Sequence, residues 1–259
     1  MKLTRREVWK ATSIALAGAT LGRSADPTLG MIFPVPRPTP PEALAMYPSG
    51  VRFISVDVGL KTMTPEGYDA VLERIKPAGE KLAAQGAHAV ALMGTSLSFY
   101  KGAAFNQKLI DTLKQTTGLP ATSMSTGVVE GLKAVGAKRV VAATAYDDEV
   151  NRRLRIFLKE SGFEVLGVTG LGIEKVEDVD RVKQPQLLRF CVRVRKTEPA
   201  ANSILVSCGG LRTLEILAPL EKQGGIPAVS SMPAGLWAAV RLLGLSGRAP
   251  GYGTLLSRA

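Results

Sequence analysis

Ala87-His88-Ala89-Val90-Ala91-Leu92-Met93-Gly94-Thr95-Ser96 is an apolar run that breaks abruptly into small residues. Ser203-Ile204-Leu205-Val206-Ser207-Cys208-Gly209-Gly210 repeats that pattern far downstream. A short continuous apolar run of this kind reads as a strand buried on both faces, as in parallel sheets covered by helices. Small residues at the carboxyl end of such a strand mark the edge where open α/β sheets bind ligands. They let backbone N–H groups approach an anion closely, and a following helix N-terminus adds a favourable dipole. Two such ends in equivalent positions predict an α/β fold of two pseudo-symmetric lobes. Each lobe is a short parallel sheet flanked by helices, with the active site in the cleft between them.

Outward from these two strands, the chain alternates short β-rich runs with amphipathic helices. In the first half, Leu29–Phe33, Val51–Ser55, Ala87–Leu92 and Ala121–Met124 are expected strands. Pro34 to Pro41 is a stiff proline-rich loop. Thr64 is an N-cap with Pro65 at the first helical position, and Phe105–Thr117 is an amphipathic helix. In the second half, Arg139–Thr144, Glu164–Val168, Ser203–Ser207 and Pro227–Val229 are expected strands. The helices there are Asp148–Ser161, Gln186–Arg195, Leu211–Gln223 and Ala234–Leu243, the last packing back on the first lobe. The division that follows is 1–25 as a signal segment, 26–122 with 232–259 as the first lobe, and 123–231 as the second.

Composition excludes several classes. The chain has 259 residues, 46% of them hydrophobic and 21% charged, enough apolar surface for a packed core. The formal net charge is +11, of which +4 lies in the first 25 residues, leaving +7 for the rest. That charge is dispersed, with no long basic block or aromatic-interleaved stripe, which disfavours nucleic acid. It suits a positive field that attracts a dianionic small molecule. His88 is the only histidine, so neither a Ser-His-Asp triad nor a multi-histidine metal site can be assembled, and it reads as structural. The two cysteines, Cys191 and Cys208, make neither a disulfide framework nor a zinc site. Cys191 falls on the apolar face of a helix and reads as packing.

Residues 1–25 read as an export address. Thr4-Arg5-Arg6-Glu7-Val8-Trp9-Lys10 looks like a twin-arginine motif, and Ala11 to Leu21 is a weakly apolar run too short to span a bilayer. The expected setting is the bacterial periplasm, with no stable membrane anchor after signal removal and a monomeric state.

Met93-Gly94-Thr95-Ser96-Leu97-Ser98-Phe99-Tyr100, Ala143-Thr144-Ala145-Tyr146 and Leu205-Val206-Ser207-Cys208-Gly209-Gly210-Leu211 resemble the arylmalonate decarboxylases of the aspartate/glutamate racemase superfamily. So do Thr64-Pro65-Glu66-Gly67-Tyr68-Asp69-Ala70 and Pro250-Gly251-Tyr252-Gly253, and the resemblance runs from about Gly30 to Leu255. Racemases and isomerases of that superfamily use two facing cysteines, one per lobe. Here the first-lobe counterpart of Cys208 is Gly94. A racemase must take a proton from one face of a carbon and return one to the other. A decarboxylase needs no base, because loss of carbon dioxide itself makes the carbanion, so one acid suffices.

The resemblance implies cofactor-free decarboxylation of a disubstituted malonate, with no metal. One carboxylate is held in a dioxyanion hole by Thr95, Ser96, Tyr146 and Gly209. The departing carboxylate sits among Pro34, Leu60, Tyr68, Val176 and Val179. Cys208, as a neutral thiol, protonates the enediolate and gives a chiral monocarboxylic acid. Met63 stands where the family has a smaller aliphatic residue, and Val35 and Arg37 change the proline-rich mouth. Arg37 is available to pair with an acidic group. Two alternatives use the same cleft. One is a racemase or cis–trans isomerase, which needs a second acid–base group near Gly94. The other is a non-catalytic periplasmic protein that binds dicarboxylates.

Overall fold

The computed structural model describes residues 26–258, so the twin-arginine segment lies outside the described residues. The first half runs β1 (Thr28–Phe33), α1 (Pro41–Met46), β2 (Arg52–Asp57), α2 (Pro65–Asp69), α3 (Ile75–Ala84), β3 (Ala89–Leu92), α4 (Thr95–Phe99), α5 (Ala103–Thr117) and β4 (Ala121–Ser123). Next, α6 (Met124–Ala134) leads into β5 (Arg139–Thr144), α7 (Asp148–Glu160), β6 (Glu164–Gly170) and α8 (Val176–Val179). The chain closes with α9 (Gln184–Thr197), β7 (Ser203–Ser207), α10 (Leu214–Gly224), β8 (Ala228–Ser230), α11 (Ser231–Arg241) and α12 (Thr254–Ser257).

The strands form two four-stranded parallel sheets, ordered β2-β1-β3-β4 and β6-β5-β7-β8. The order is the same in both, so the halves are structural repeats. In each sheet the first strand pairs with the second on one side and the third on the other. The direction of winding therefore reverses between β1 and β3, and again between β5 and β7. A ligand crevice is expected outside the carboxyl ends of strands at such a reversal. Strands β1, β3 and β7 are buried along their whole length, which is why they read as unbroken apolar runs. The expected lobe boundaries, after 122 and 231, fall one residue short of the end of β4 and one residue beyond β8.

Local signals explain several boundaries. The Thr64 side chain accepts from Gly67 N at 3.2 Å, and Pro65 starts α2 as anticipated. Asp147 caps α7 by accepting from Val150 N at 2.8 Å, and Ser123 caps α6 by accepting from Thr126 N at 3.0 Å. Helix α6 was not anticipated. The expected strand there ends at Ser123, and Met124 opens the helix. Helix α11 lies against α6 and also touches β3 and β4, so it does pack on the first sheet, while reaching β7 and β8 as well. The proline-rich loop also ends sooner than expected, because Pro41 opens α1.

His88 has a structural place. Its Nδ1 accepts from Thr28 N at 3.0 Å, and its own N–H donates to Thr28 O at 2.8 Å, which extends the β1–β3 pairing. Cys191 and Cys208 are both free thiols. Among the described residues, no helix is long and apolar enough to cross a membrane. No group of three or more His, Cys, Asp or Glu among them could hold a metal ion.

Candidate active site

Four strand ends converge on one cleft. β1 delivers Phe33 and Pro34, β3 delivers Met93 to Ser96, β5 delivers Tyr146, and β7 delivers Cys208 to Gly210. Leu60, Met63, Val176 and Val179 complete an apolar wall. The cleft holds about 440 Å3 of free space, counting its open end. Gly94 and Cys208 thus line the same cavity, each from the third strand of its own sheet.

Gly94 is there for space. A Cβ on it would lie 2.9 Å from Pro34 Cγ and 3.2 Å from Leu97 Cβ. The turn it begins is clamped by hydroxyls that sequence reasoning missed. Ser98 Oγ lies 2.9 Å from the carbonyl oxygens of Gly94 and Thr95 and 2.6 Å from Ser125 Oγ, which in turn donates to Thr95 O at 2.8 Å. These buried groups fix the start of α4, where the first helical N–H groups have no intrahelical acceptor. Thr95 and Ser96 are both buried. The Thr95 hydroxyl donates to Met124 Sδ at 2.9 Å, so in this state Thr95 offers the cleft its backbone rather than its side chain.

Tyr146 is buried beside Phe99, with ring centroids 5.8 Å apart in an edge-on arrangement. Its hydroxyl lies 3.4 Å from Ser207 Oγ. Its backbone is pinned as well: Thr144 Oγ1 accepts from Tyr146 N at 3.2 Å and bonds Asn151, whose Nδ2 donates to Tyr146 O at 3.3 Å. Burial pushes the phenol well above its ordinary range, with Cys208 and Tyr68 adding to this and the Ser207 and Ser96 hydroxyls easing it. The phenol therefore stays protonated and available as a donor.

Tyr68, expected on the apolar wall, does not line the cleft. It is fully buried behind that surface, its ring 5.0 Å from Tyr100. Its hydroxyl is buried without a hydrogen-bond partner among the described residues. Burial pushes this phenol up too, and the Ser96 hydroxyl eases it only in part, since no hydrogen bond of good geometry joins the two.

The second-lobe turn is tight. Cys208 adopts φ 153°, a sparsely populated backbone state, and is the only non-glycine residue with positive φ among those described. Its N–H donates to Ser231 Oγ at 3.2 Å, and Leu211 N closes the turn on Cys208 O at 3.2 Å. A Cβ on Gly209 would lie 2.8 Å from Met124 Sδ, and one on Gly210 2.9 Å from Val179 Cγ1. Glycine at 209 and 210 lets this backbone approach both walls. Burial raises the Cys208 thiol above its ordinary value, while the Gly210 N–H and the Arg37 charge partly offset that. The thiol is thus held as a neutral acid.

The arrangement combines neutral buried donors, an apolar wall and one protonated thiol. It can hold an anionic oxygen pair, shelter a departing neutral molecule and deliver a single proton. The sequence pattern of the arylmalonate decarboxylase family matches residues 29–256. Arylmalonate decarboxylase of Bordetella bronchiseptica is 47% identical over 239 residues, covering 92% of this chain and 99% of that protein. The structure of unliganded arylmalonate decarboxylase superposes with a TM-score of 0.81 at 47% identity, covering 89% of this chain and 98% of the other. The maleate isomerase Iso from Pseudomonas putida S16 shares the fold, with a TM-score of 0.82 at 22% identity over 89% of this chain and 98% of the other. By sequence and by fold, over nearly all of its described length, this chain belongs to the arylmalonate decarboxylase family.

Proposed function

We propose that this chain is a cofactor-free carboxy-lyase that decarboxylates disubstituted malonates, aryl-substituted ones included. The observation that carries this reading is the asymmetry of the cleft: Cys208 on one strand end and the side-chain-free Gly94 on its counterpart. One thiol supports proton delivery without proton removal.

One malonate carboxylate rests against the N–H groups of Thr95 and Gly209 and the hydroxyls of Ser96 and Tyr146. The other lies among Pro34, Leu60, Met63, Val176 and Val179. The bond from the α-carbon to that second carboxylate breaks, and carbon dioxide leaves. The electron pair stays on the α-carbon and spreads into the retained carboxylate as an enediolate. Donors held in place before the reaction stabilise this growing charge without having to reorganise, so they favour the transition state over the substrate. The apolar wall suits neutral carbon dioxide better than a carboxylate. Cys208 then gives its proton to the α-carbon and becomes a thiolate, which water reprotonates. Delivery from one face yields one enantiomer. The Arg5-Arg6 segment supports action in the periplasm.

The test is turnover of a panel of aryl- and alkylmalonates in deuterium oxide. The reading expects carbon dioxide release and one deuterium at the α-carbon of a single enantiomer. Fast exchange of the α-hydrogen of the finished acid would point to a racemase. Binding without carbon dioxide release would point to a binding protein.

A further inference from the structure

Among the described residues, Arg37 is the only charged side chain on the wall of the reaction cleft. Its guanidinium carbon lies 5.5 Å from the centre of the Phe33 ring, and its Nη2 would be 3.9 Å from a Cβ on Gly210. The side chain therefore reaches from the proline-rich loop to the turn that carries Cys208. Its Nε is buried and has no hydrogen-bond partner among the described residues. No ion pair among the described residues involves it. A buried donor without an acceptor is costly, and such groups are normally satisfied.

Position indicates what the missing acceptor is. Arg37 also lines two outer grooves, so it stands where the dry inner cleft opens to solvent. Glu42, Asp180 and Arg212 share one of these grooves with it, and Lys61, Lys175, Glu177 and Asp180 the other. Neither malonate carboxylate is a suitable partner. On the reading above the retained one is already met by the neutral donors of Thr95, Ser96, Tyr146 and Gly209. A guanidinium on the departing one would stabilise the substrate more than the transition state, because carbon dioxide carries no charge to hold. What remains is the third arm of the α-carbon, the variable substituent, for which the mouth beside Arg37 is the space left over.

Resting on the decarboxylase reading above, we propose that Arg37 selects malonates whose variable substituent carries its own carboxylate. The planar fork of arginine donates to both oxygens of such a group, with the cation over the Phe33 ring.

The experiment compares para-carboxyphenylmalonate with the neutral para-carbamoylphenylmalonate, using phenylmalonate as a baseline. Each is assayed by carbon dioxide release with the full chain and with Arg37→Leu and Arg37→Lys. The wild type is expected to favour the carboxylate over the carboxamide by about tenfold or more in kcat/KM, mainly through KM, as one charge-assisted hydrogen bond would give. Arg37→Leu should abolish that ratio, and Arg37→Lys should keep part of it. A wild type that treats the two alike, or a preference that survives Arg37→Leu, overturns the inference while leaving the decarboxylase reading intact. Release of carbon dioxide from none of the three overturns the decarboxylase reading itself, and this inference with it.

Discussion

Pro34 packs on the bare backbone of Gly94, with its Cγ 2.9 Å from where a Cβ would stand. The ring therefore fills the volume in which a second-lobe cysteine's partner would otherwise sit. Gly94→Cys is expected to introduce a second acid–base group and, with it, exchange of the α-hydrogen of 2-arylpropionates. The crowding should lower stability by about 1–3 kcal/mol, as small-to-large core changes typically do. Pro34→Gly in the same chain should recover part of the loss. Deuterium incorporation followed by chiral chromatography measures the exchange, and thermal unfolding measures the cost. Absence of exchange in both variants would show that position 94 does not face the reacting carbon.

Gly209 and Thr95 are coupled through one sulfur. Met124 Sδ accepts the Thr95 hydroxyl at 2.9 Å and would be 2.8 Å from a Cβ on Gly209. Gly209→Ala should displace Met124 and lower kcat by roughly 10–100-fold, below the loss for a deleted oxyanion donor because the N–H remains. Met124→Ala alongside it should restore part of the rate. If Gly209→Ala keeps full kcat, the backbone at 209 does not contact the charge that develops.

Ser98 and Ser125 act on the same turn from behind. Ser98→Ala leaves buried carbonyl oxygens at Gly94 and Thr95 with one hydroxyl fewer. A stability loss of about 1–3 kcal/mol is expected from denaturant unfolding. kcat should also fall, since the N–H groups at the start of α4 lose their anchor. A stability loss with unchanged kcat would make this cluster purely structural.

Much of this organisation was legible in the sequence because parallel strands bury both faces. Arg139–Thr144 and Ser203–Ser207 were read with their observed ends. Gly94, Thr95, Ser96, Tyr146, Cys208 and Gly209, proposed from motif and resemblance, all line one cleft. Helix α6 was illegible because Gly127, Val128, Val129 and Gly131 are weak helix formers. The reason lies in tertiary packing: a Cβ on Gly127 would lie 2.6 Å from Ala234 O, so only glycine lets α6 meet α11 so closely. The burial of Tyr68 behind Ser96 and the Ser98–Ser125 clamp depend on contacts between distant segments. No local pattern encodes either.

The thiols impose a pH dependence. Burial pushes Cys191 up to about 12 and raises Cys208 as well. In the unfolded chain both ionise near the ordinary value of about 8.5. Above that pH the folded state holds protons the unfolded state has lost, so stability falls as pH rises. Their contribution is complete below about 8.5 and lost through the folded values. Melting temperature measured from neutral to alkaline pH should decline, and Cys191→Ala should shallow that decline. Catalysis should persist on the acid side and fall only above the ordinary thiol range, because Cys208 must carry its proton to act. An activity that rises through that range would require the thiolate instead.

The most direct test of the central claim is carbon dioxide release from phenylmalonate by Cys208→Ala, beside the wild type and with folding checked by thermal melt. The account predicts a folded variant whose turnover drops by at least about 100- to 10,000-fold, the range assigned to a lost general acid. A folded Cys208→Ala that decarboxylates at the wild-type rate would contradict it.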